Sequence, residues 1–354
     1  MNSRPVLSVR RLTVEFPLAG AWPWSHHGLL RAVDDLHFDL APGEALGIVG
    51  ESGCGKSTLA RTLVGLQRAS AGGIVLGPGS GSGAGGRDVA RLDEKAWRPL
   101  RRDIQMVFQD PLASLDPRMT IAASIEEPLR WLAPEIGATA REARVAEVMR
   151  RVELEPALSE RYPHQLSGGQ CQRAGIARAL IVEPKVLVCD EPVSALDVAV
   201  QAQILDLLAG LQRERGLALV FISHDLAVVK QLCQRVLVMY LGRVMEQAAA
   251  DELFARPRHP YTRALLAAVP GANGAPPLEG ELPNPADPPS GCVFRTRCPM
   301  ADELCARDTP HLRKVGEGSY AACHFVQDPA AGAAVLKEGT VSGRRPVRPA
   351  PATP

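Results

Sequence analysis

The sequence predicts an α/β protein: a parallel sheet with a phosphate-binding loop at one strand end. Three observations carry that. An apolar run over 45–49 leads into Gly50-Glu51-Ser52-Gly53-Cys54-Gly55-Lys56-Ser57-Thr58, and a helix-compatible stretch follows over 59–66. This strand, G-x-x-x-x-G-K-[ST], helix order is the arrangement of a P-loop. Next, three runs of buried-strand character, 185–189, 217–223 and 235–240, alternate with helical stretches. That order places a parallel sheet between two helical layers. Last, the first of those runs ends in the acid pair Asp190-Glu191, at a strand end beside the P-loop.

The chemistry of the loop follows from its residues. Glycine lets the backbone turn tightly enough for several N–H groups to face one anion. The helix that follows adds its positive N-terminal end. Gly50, Ser52, Gly53, Cys54, Gly55 and Thr58 are therefore expected around the phosphates, with Lys56 reaching the β- and γ-phosphates and the Ser57 hydroxyl on Mg²⁺. A glycine-rich turn with a surface lysine would share this composition but not the flanking strand and helix. Asp190 is expected to hold Mg²⁺ through water or through Ser57. Glu191 is then positioned to orient or deprotonate the attacking water.

Along the chain, 6–16 alternates as a half-buried strand. Residues 17–30 carry Trp22, Trp24, Leu29 and Leu30 among Pro, Gly and His, which reads as a loop insertion with an apolar tip. A second strand is expected over 31–40, then a turn at Pro42-Gly43. Residues 77–87 are glycine-rich and flexible in composition. A short strand over 104–108 ends at Gln109, and 121–158 reads as helical. A polar, glycine-bearing turn over 165–170 opens a helix through 181, and another helix is expected over 198–213. Residues 270–290 read as a linker, 291–325 hold four cysteines, and 326–354 has the composition of a disordered tail.

Composition narrows the class. A length of 354 residues suits two domains, or one large domain with an appendage. A net charge of +1 gives no global basic field for nucleic acid. No stretch approaches the ~18–20 uninterrupted apolar residues of a membrane span. The start, Met1-Asn2-Ser3-Arg4-Pro5, lacks the apolar core of a secretory signal, so a cytosolic location is expected. In that reducing compartment the eight cysteines do not suggest a disulfide framework.

The discriminating stretch is Leu166-Ser167-Gly168-Gly169-Gln170-Cys171-Gln172-Arg173. A serine hydroxyl and bare glycine amides at a helix N-terminus make a second anion site. An ordinary serine cap accounts for Ser167 but not for the two glycines and Gln170. Here the sequence resembles the signature of the ABC transporter ATPases, and the other motifs follow that family's order. The resemblance implies a parallel RecA-like core, an N-terminal antiparallel β subdomain and a helical subdomain inserted at about 110–165. It also implies two ATPase domains packed head to tail, with Ser167, Gly168, Gly169 and Gln170 contacting the γ-phosphate held by the opposite P-loop.

Residue by residue, Gln109 resembles the Q-loop glutamine that senses Mg²⁺ and water. Ser194-Ala195-Leu196-Asp197 resembles the D-loop, with Asp197 at the dimer seam. His224, in Ile222-Ser223-His224-Asp225, resembles the H-loop histidine at the γ-phosphate. Phe16 best matches the aromatic that stacks on adenine, with Trp22 and Trp24 as alternatives. ATP and Mg²⁺ are the implied ligands.

Several stretches are similar to the oligopeptide, dipeptide and nickel importer branch: 49–55, 108–118, 189–197, and His259-Pro260-Tyr261-Thr262 with the apolar residues that follow. Gln170-Cys171-Gln172-Arg173 points to the second of the two ATPase subunits such importers carry. Asp116 departs from the expected asparagine, near the region expected to face the permease. Late in the chain, Cys292, Cys298, Cys305 and Cys323 gather four thiols. Four thiolates can ligate an iron–sulfur cluster or Zn²⁺. The spacing is not the C-x2-C pair of zinc ribbons, and Cys298-Pro299 favours a four-iron four-sulfur cluster over zinc; four reduced thiols without metal are the alternative.

The function expected is ATP hydrolysis that energises uptake of oligopeptides, dipeptides or a related small solute. The domains expected are an ATPase domain over 1–255, an extension over 256–325 and a tail over 326–354. The resemblance implies two transmembrane permease subunits, a paralogous ATPase subunit and an extracytoplasmic solute-binding protein, with this chain peripheral on the cytoplasmic face. Glu191, His224 and Gln109 are the expected catalytic residues. Alternatives are an importer for nickel or glutathione, or a non-transport ATPase of the same family acting on nucleic acid or ribosomes. The latter would want a coiled-coil insertion or tandem cassettes, and neither is found.

Overall fold

The computed structural model describes residues 4–19, 26–77, 86–194, 196–268 and 280–326. Trp22, Trp24, Ala195, residues 78–85 of the glycine-rich segment, residues 270–279 of the expected linker and residues 327–354 of the expected tail lie outside the described residues.

Two sheets organise the chain. The first is antiparallel, in the order β2-β1-β4-β5, from β1 (Leu7–Ala19), β2 (His26–Leu40), β4 (Ala71–Leu76) and β5 (Arg87–Asp88). Within the stretch expected as a loop over 17–30, the described residues 17–19 and 26–30 are strand. β1 runs on to Ala19 and β2 begins at His26, with Phe16 opposite Leu30 and Pro17 opposite Leu29. Antiparallel pairing in a hairpin satisfies backbone groups there that the Pro, Gly and His composition had suggested were loop.

The second sheet has the order β11-β12-β10-β9-β3-β8-β7-β6. Its centre is parallel: β3 (Ala45–Val49) lies between β8 (Ala218–Ile222) and β9 (Arg235–Tyr240), and β7 (Val186–Asp190) between β8 and β6 (Ile104–Val107). β3, β7 and β8 are buried at every position. Their continuous apolar runs fit strands covered on both faces.

Helices close those faces. α1 (Lys56–Leu63) follows the P-loop, and α2 (Glu94–Trp97) precedes β6. The expected helical stretch over 121–158 resolves into α3 (Ile121–Leu132) and α4 (Ala138–Arg151), with a short 3-10 turn at Pro156–Leu158. Pro134, lacking an N–H, and Gly137 account for the break between them. α5 (Gly168–Leu180) packs on α3 and α4, and α6 (Val198–Arg215) and α7 (Leu226–Leu232) flank β8.

The C-terminal extension joins the same sheet. β10 (Arg243–Ala249) pairs with β9, and after α8 (Ala250–Ala255), α9 (Pro260–Ala267) and α10 (Glu303–Arg307) the hairpin of β11 (Arg313–Gly316) and β12 (Ser319–Ala321) adds onto β10. An aromatic cluster fastens it to β9. The ring centroids of Tyr240 and Tyr261 lie 4.8 Å apart, and Phe294 is 5.3 Å from each. Beneath it, the fully buried Glu246 accepts hydrogen bonds from the Arg258 and His259 amides, each 2.8 Å.

Candidate active site

Parallel strands deliver the site residues to one edge of the sheet, outside the strand carboxyl ends. The P-loop leaves β3, Gln109 follows β6, Asp190 ends β7, and His224 follows β8. Glycine is required at Gly55: its φ is +103°, and a Cβ there would lie 1.9 Å from the Ala32 carbonyl oxygen. Lys56 is 5% exposed, and its ammonium donates to the carbonyls of Gly50 (2.7 Å) and Glu51 (2.9 Å). Those carbonyls hold the cation over the loop mouth.

Beside it the Ser57 hydroxyl donates to Asp190 Oδ1 at 3.1 Å. Burial pushes the Asp190 carboxyl above its usual range, while the Ser57 hydrogen bond pulls the other way. Glu191 has φ +47°, in the left-handed region, and its amide donates to the Ile222 carbonyl at 2.9 Å. One carboxylate oxygen, Glu191 Oε2, takes Gln109 Nε2 at 3.0 Å and meets His224 Nδ1 at 3.2 Å. Two residues, 82 and 33 positions away from Glu191 along the chain, thus converge on one of its atoms.

Lys56, Ser57, Gln109, Glu191 and His224 line a cleft of about 560 Å³ together with Phe16, Leu30, Ser52, Gly53, Gly55, Thr58 and Pro285, and the buried Asp190 reaches it through Ser57. Phe16 therefore stands on the cleft wall, half-buried against the first sheet's core. Cys54 is buried beneath the loop, and burial raises its thiol pKa.

The signature residues are elsewhere. Ser167, Gly168, Gly169 and Gln170 open α5 and are not among the residues lining the cleft. They form a reciprocal cap. The Gln170 amide donates to Ser167 Oγ at 3.3 Å, and the Ser167 amide donates to Gln170 Oε1 at 2.9 Å. A Cβ on Gly169 would sit 2.7 Å from Val200 Cγ1, so close packing of α5 on α6 is a second reason for glycine there. Gly168 meets nothing nearer than 3.8 Å and is exposed. Asp197 caps α6 by accepting from the Val200 amide at 3.0 Å, and the adjacent Val198 is 82% exposed.

Two contacts were not foreseen. The Tyr261 hydroxyl accepts from the Glu51 amide at 2.9 Å, and Arg297 donates to both Glu51 carboxylate oxygens at 2.5 and 3.0 Å. Nothing in the spacing marks Arg297, and the stretch His259-Pro260-Tyr261-Thr262 carries no signal of a partner for Tyr261.

Cys292, Cys298, Cys305 and Cys323 carry free thiols. Burial pushes the Cys292 thiol up to about 11, and the neighbouring Cys305, Cys298 and Cys323 add to it. The four are thus near one another, yet among the described residues no group of three or more His, Cys, Asp or Glu stands in an arrangement that holds a metal ion. The oxygen pair Ser57 and Asp190, by contrast, is a donor set suited to Mg²⁺.

Comparisons with known proteins show which family the chain resembles along most of its length. A family profile described as ABC transporter matches residues 33–194, and one described as oligopeptide/dipeptide transporter, C-terminal region, matches 245–305. The oligopeptide transport ATP-binding protein OppF of Escherichia coli is 51% identical over 324 residues, covering 89% of this chain and 93% of the relative. A putative peptide import ATP-binding protein of Brucella ovis is 48% identical over 329 residues, covering 91% and 98%. Among solved structures, a dimeric ATP-binding cassette bound to ADP and phosphate superposes with a TM-score of 0.61 at 28% identity, covering 69% of this chain and 98% of that one.

Proposed function

This chain belongs to the ATP-binding subunits of oligopeptide-type ABC transporters, and from that premise we propose that it hydrolyses ATP to drive import of oligopeptides, dipeptides or a related small solute. The observation that carries the hydrolytic half is the convergence of Gln109 and His224 on Glu191 Oε2 above the P-loop. In this reading the amides of 52–55 and Lys56 bind the β- and γ-phosphates, and Phe16 stacks on the base. Ser57, Asp190 and Gln109 would hold Mg²⁺ through their oxygens. When bound, Mg²⁺ neutralises charge on the phosphate oxygens. Glu191 orients the attacking water and accepts its proton, while Gln109 and His224 hold the carboxylate in register.

Ser167 to Gln170 do not line this cleft, and Ser167 and Gly168 are exposed, which supports a second ATPase domain as their partner, with Asp197 at the seam. A paralogous subunit, two membrane-spanning permeases and a solute-binding protein complete the proposed system, and the chain works peripherally at the cytoplasmic face. No helix among the described residues is long and apolar enough to cross a membrane. The division into an ATPase domain over 1–255 and an extension over 256–325 is kept as a functional one, although both share a sheet. The test is reconstitution with the permeases in vesicles. ATP-dependent accumulation of labelled peptide, lost without this chain, is expected; peptide-independent ATPase activity with no uptake would overturn the import reading.

For the cysteines we propose a four-iron four-sulfur cluster, with Zn²⁺ as the alternative, supported by four free thiols close together in the extension. As they stand the thiols are not a finished ligand set, so binding requires them to converge. Anaerobically purified protein should be coloured and contain iron. A colourless preparation free of iron and zinc rules out both metals.

A further inference from the structure

Glu51 is the second residue of the P-loop, and each of its polar groups is engaged. Its carbonyl accepts from the Lys56 ammonium at 2.9 Å. Its amide donates to the Tyr261 hydroxyl at 2.9 Å, and its carboxylate takes Arg297 in a two-pronged pair. The first contact aims the phosphate-binding lysine. The other two come from the C-terminal extension, 210 and 246 residues away in sequence. Neither is a loose surface contact: Tyr261 is fully buried, and the Arg297 side chain is 6% exposed, its guanidinium 5.9 Å over the Tyr240 ring.

The same extension approaches the loop elsewhere. Leu282 lies 3.9 Å from where a Gly53 Cβ would be, and Pro285 lines the cleft. Bidentate arginine–carboxylate pairs fix orientation as well as distance. The Arg297 half of the pair is shielded from water and the Glu51 half only partly, 27% exposed, so the contact is stronger than a fully solvated one.

We propose that Arg297 and Tyr261 are positioning residues for ATP: through Glu51 they hold the P-loop and Lys56 in the phosphate-binding conformation, so that the extension sets nucleotide affinity. This rests on the phosphate-site reading above. It makes the extension part of the nucleotide site and predicts that disturbing it is felt first as a change in ATP binding.

The test is calorimetric ATP binding by the full-length chain, with nucleotide-free thermal unfolding measured beside it. Arg297→Ala is expected to weaken ATP binding about tenfold, and Arg297→Lys, which keeps the charge but loses the fork, by less. Tyr261→Phe removes one oxygen atom and is expected to weaken binding about threefold. Glu51→Ala combined with Arg297→Ala should be no worse than Glu51→Ala alone, because both act through one contact. In the assembled transporter the loss should appear in KM for ATP rather than in kcat.

Unchanged ATP affinity in Arg297→Ala overturns the proposal. So does an affinity loss that only tracks lower thermal stability while Tyr261→Phe and Arg297→Lys bind normally. Lys56→Ala separates the two layers. If it binds ATP like the parent, the phosphate-site reading falls and takes this proposal with it. If it loses ATP while Arg297→Ala does not, the positioning role alone falls.

Discussion

The P-loop cleft and the N-terminus of α5 are both expected anion sites, yet the chain finishes them in different ways. In the cleft, Lys56, Ser57, Glu191, Gln109 and His224, with Asp190 bonded behind Ser57, are brought together by four different strand ends. Glu191 is held at a φ of +47°, a conformation that costs a non-glycine residue about 1–3 kcal/mol. At α5, Ser167 and Gln170 satisfy each other locally, and the exposed Gly168 has no close neighbour. The difference teaches that the cleft is built by long-range folding, whereas the signature is a self-contained cap offering a bare outward face. A site of the first kind binds by itself; one of the second kind contributes only when another surface is brought to it.

The sharpest break in that comparison is Glu191→Gln. It keeps shape and loses the proton acceptor, so turnover should fall by about 10²–10⁴-fold while ATP binding by the isolated chain persists. Single-turnover hydrolysis with parallel binding measurements checks this, and near-normal hydrolysis would remove Glu191 from its role. Gly168→Asp is the matching change at α5. The structure leaves room for the side chain, but it places a carboxylate where a phosphate would approach. ATP binding by the isolated chain should be unaffected, and hydrolysis in the assembled transporter should fall about tenfold or more. Equal losses in both assays would mean that α5 acts within its own chain.

What could be read from sequence divides along the same line. Residues 50–58 and the acid pair 190–191 were legible because phosphate chemistry demands those residue types at fixed spacing. The parallel order was legible because buried strands at 185–189, 217–223 and 235–240 are continuous apolar runs. Gly169 was read for its bare amide alone; its packing against Val200 depends on how α5 crosses α6, which no local pattern reports. The 17–30 stretch hid a strand pairing behind turn-like residues. The Glu51 contacts with Tyr261 and Arg297 were illegible for a simpler reason, since sequence separations above 200 residues carry no periodicity.

A smaller effect is expected at His259, within the extension that contacts the P-loop. Burial pushes its imidazole down to about 4, so the folded chain holds it neutral with Nδ1 accepting from the Tyr261 amide at 3.0 Å. The unfolded chain takes up a proton below about pH 6.5. Between pH 6.5 and 4 the unfolded state therefore binds more protons, and stability falls as pH falls, by at most about 1.4 kcal/mol per unit from this group. Buried Glu246 nearby, whose carboxyl burial raises, has the opposite sign. His259→Asn keeps a cap acceptor and removes the titration. Its melting temperature should drop less steeply than the parent's from pH 6.5 to 4.5, and parallel curves would show that His259 does not report the acid side.

The smallest effect is expected at Asp116, on the stretch that leads from Gln109 toward the helical layer. Its carboxylate accepts from the Arg118 amide at 2.9 Å and from the guanidinium at 3.1 and 3.0 Å. Hydrogen bonds from Arg118 hold its pKa down to about 2, so it stays ionised across any working pH. The contact is exposed and spans two residues, so it shapes a turn rather than supporting a core. Asp116→Asn keeps one oxygen to cap the Arg118 amide and gives up the charge. The melting temperature should move by about 2 °C or less, and ATP hydrolysis by the isolated chain should not change. Any consequence belongs to the permease-stimulated rate, where Arg118 loses its counter-charge, and should stay under about threefold. A large loss of intrinsic hydrolysis would show that this exposed turn reaches Glu191 through Gln109, and would move it from the self-contained class of feature to the long-range one.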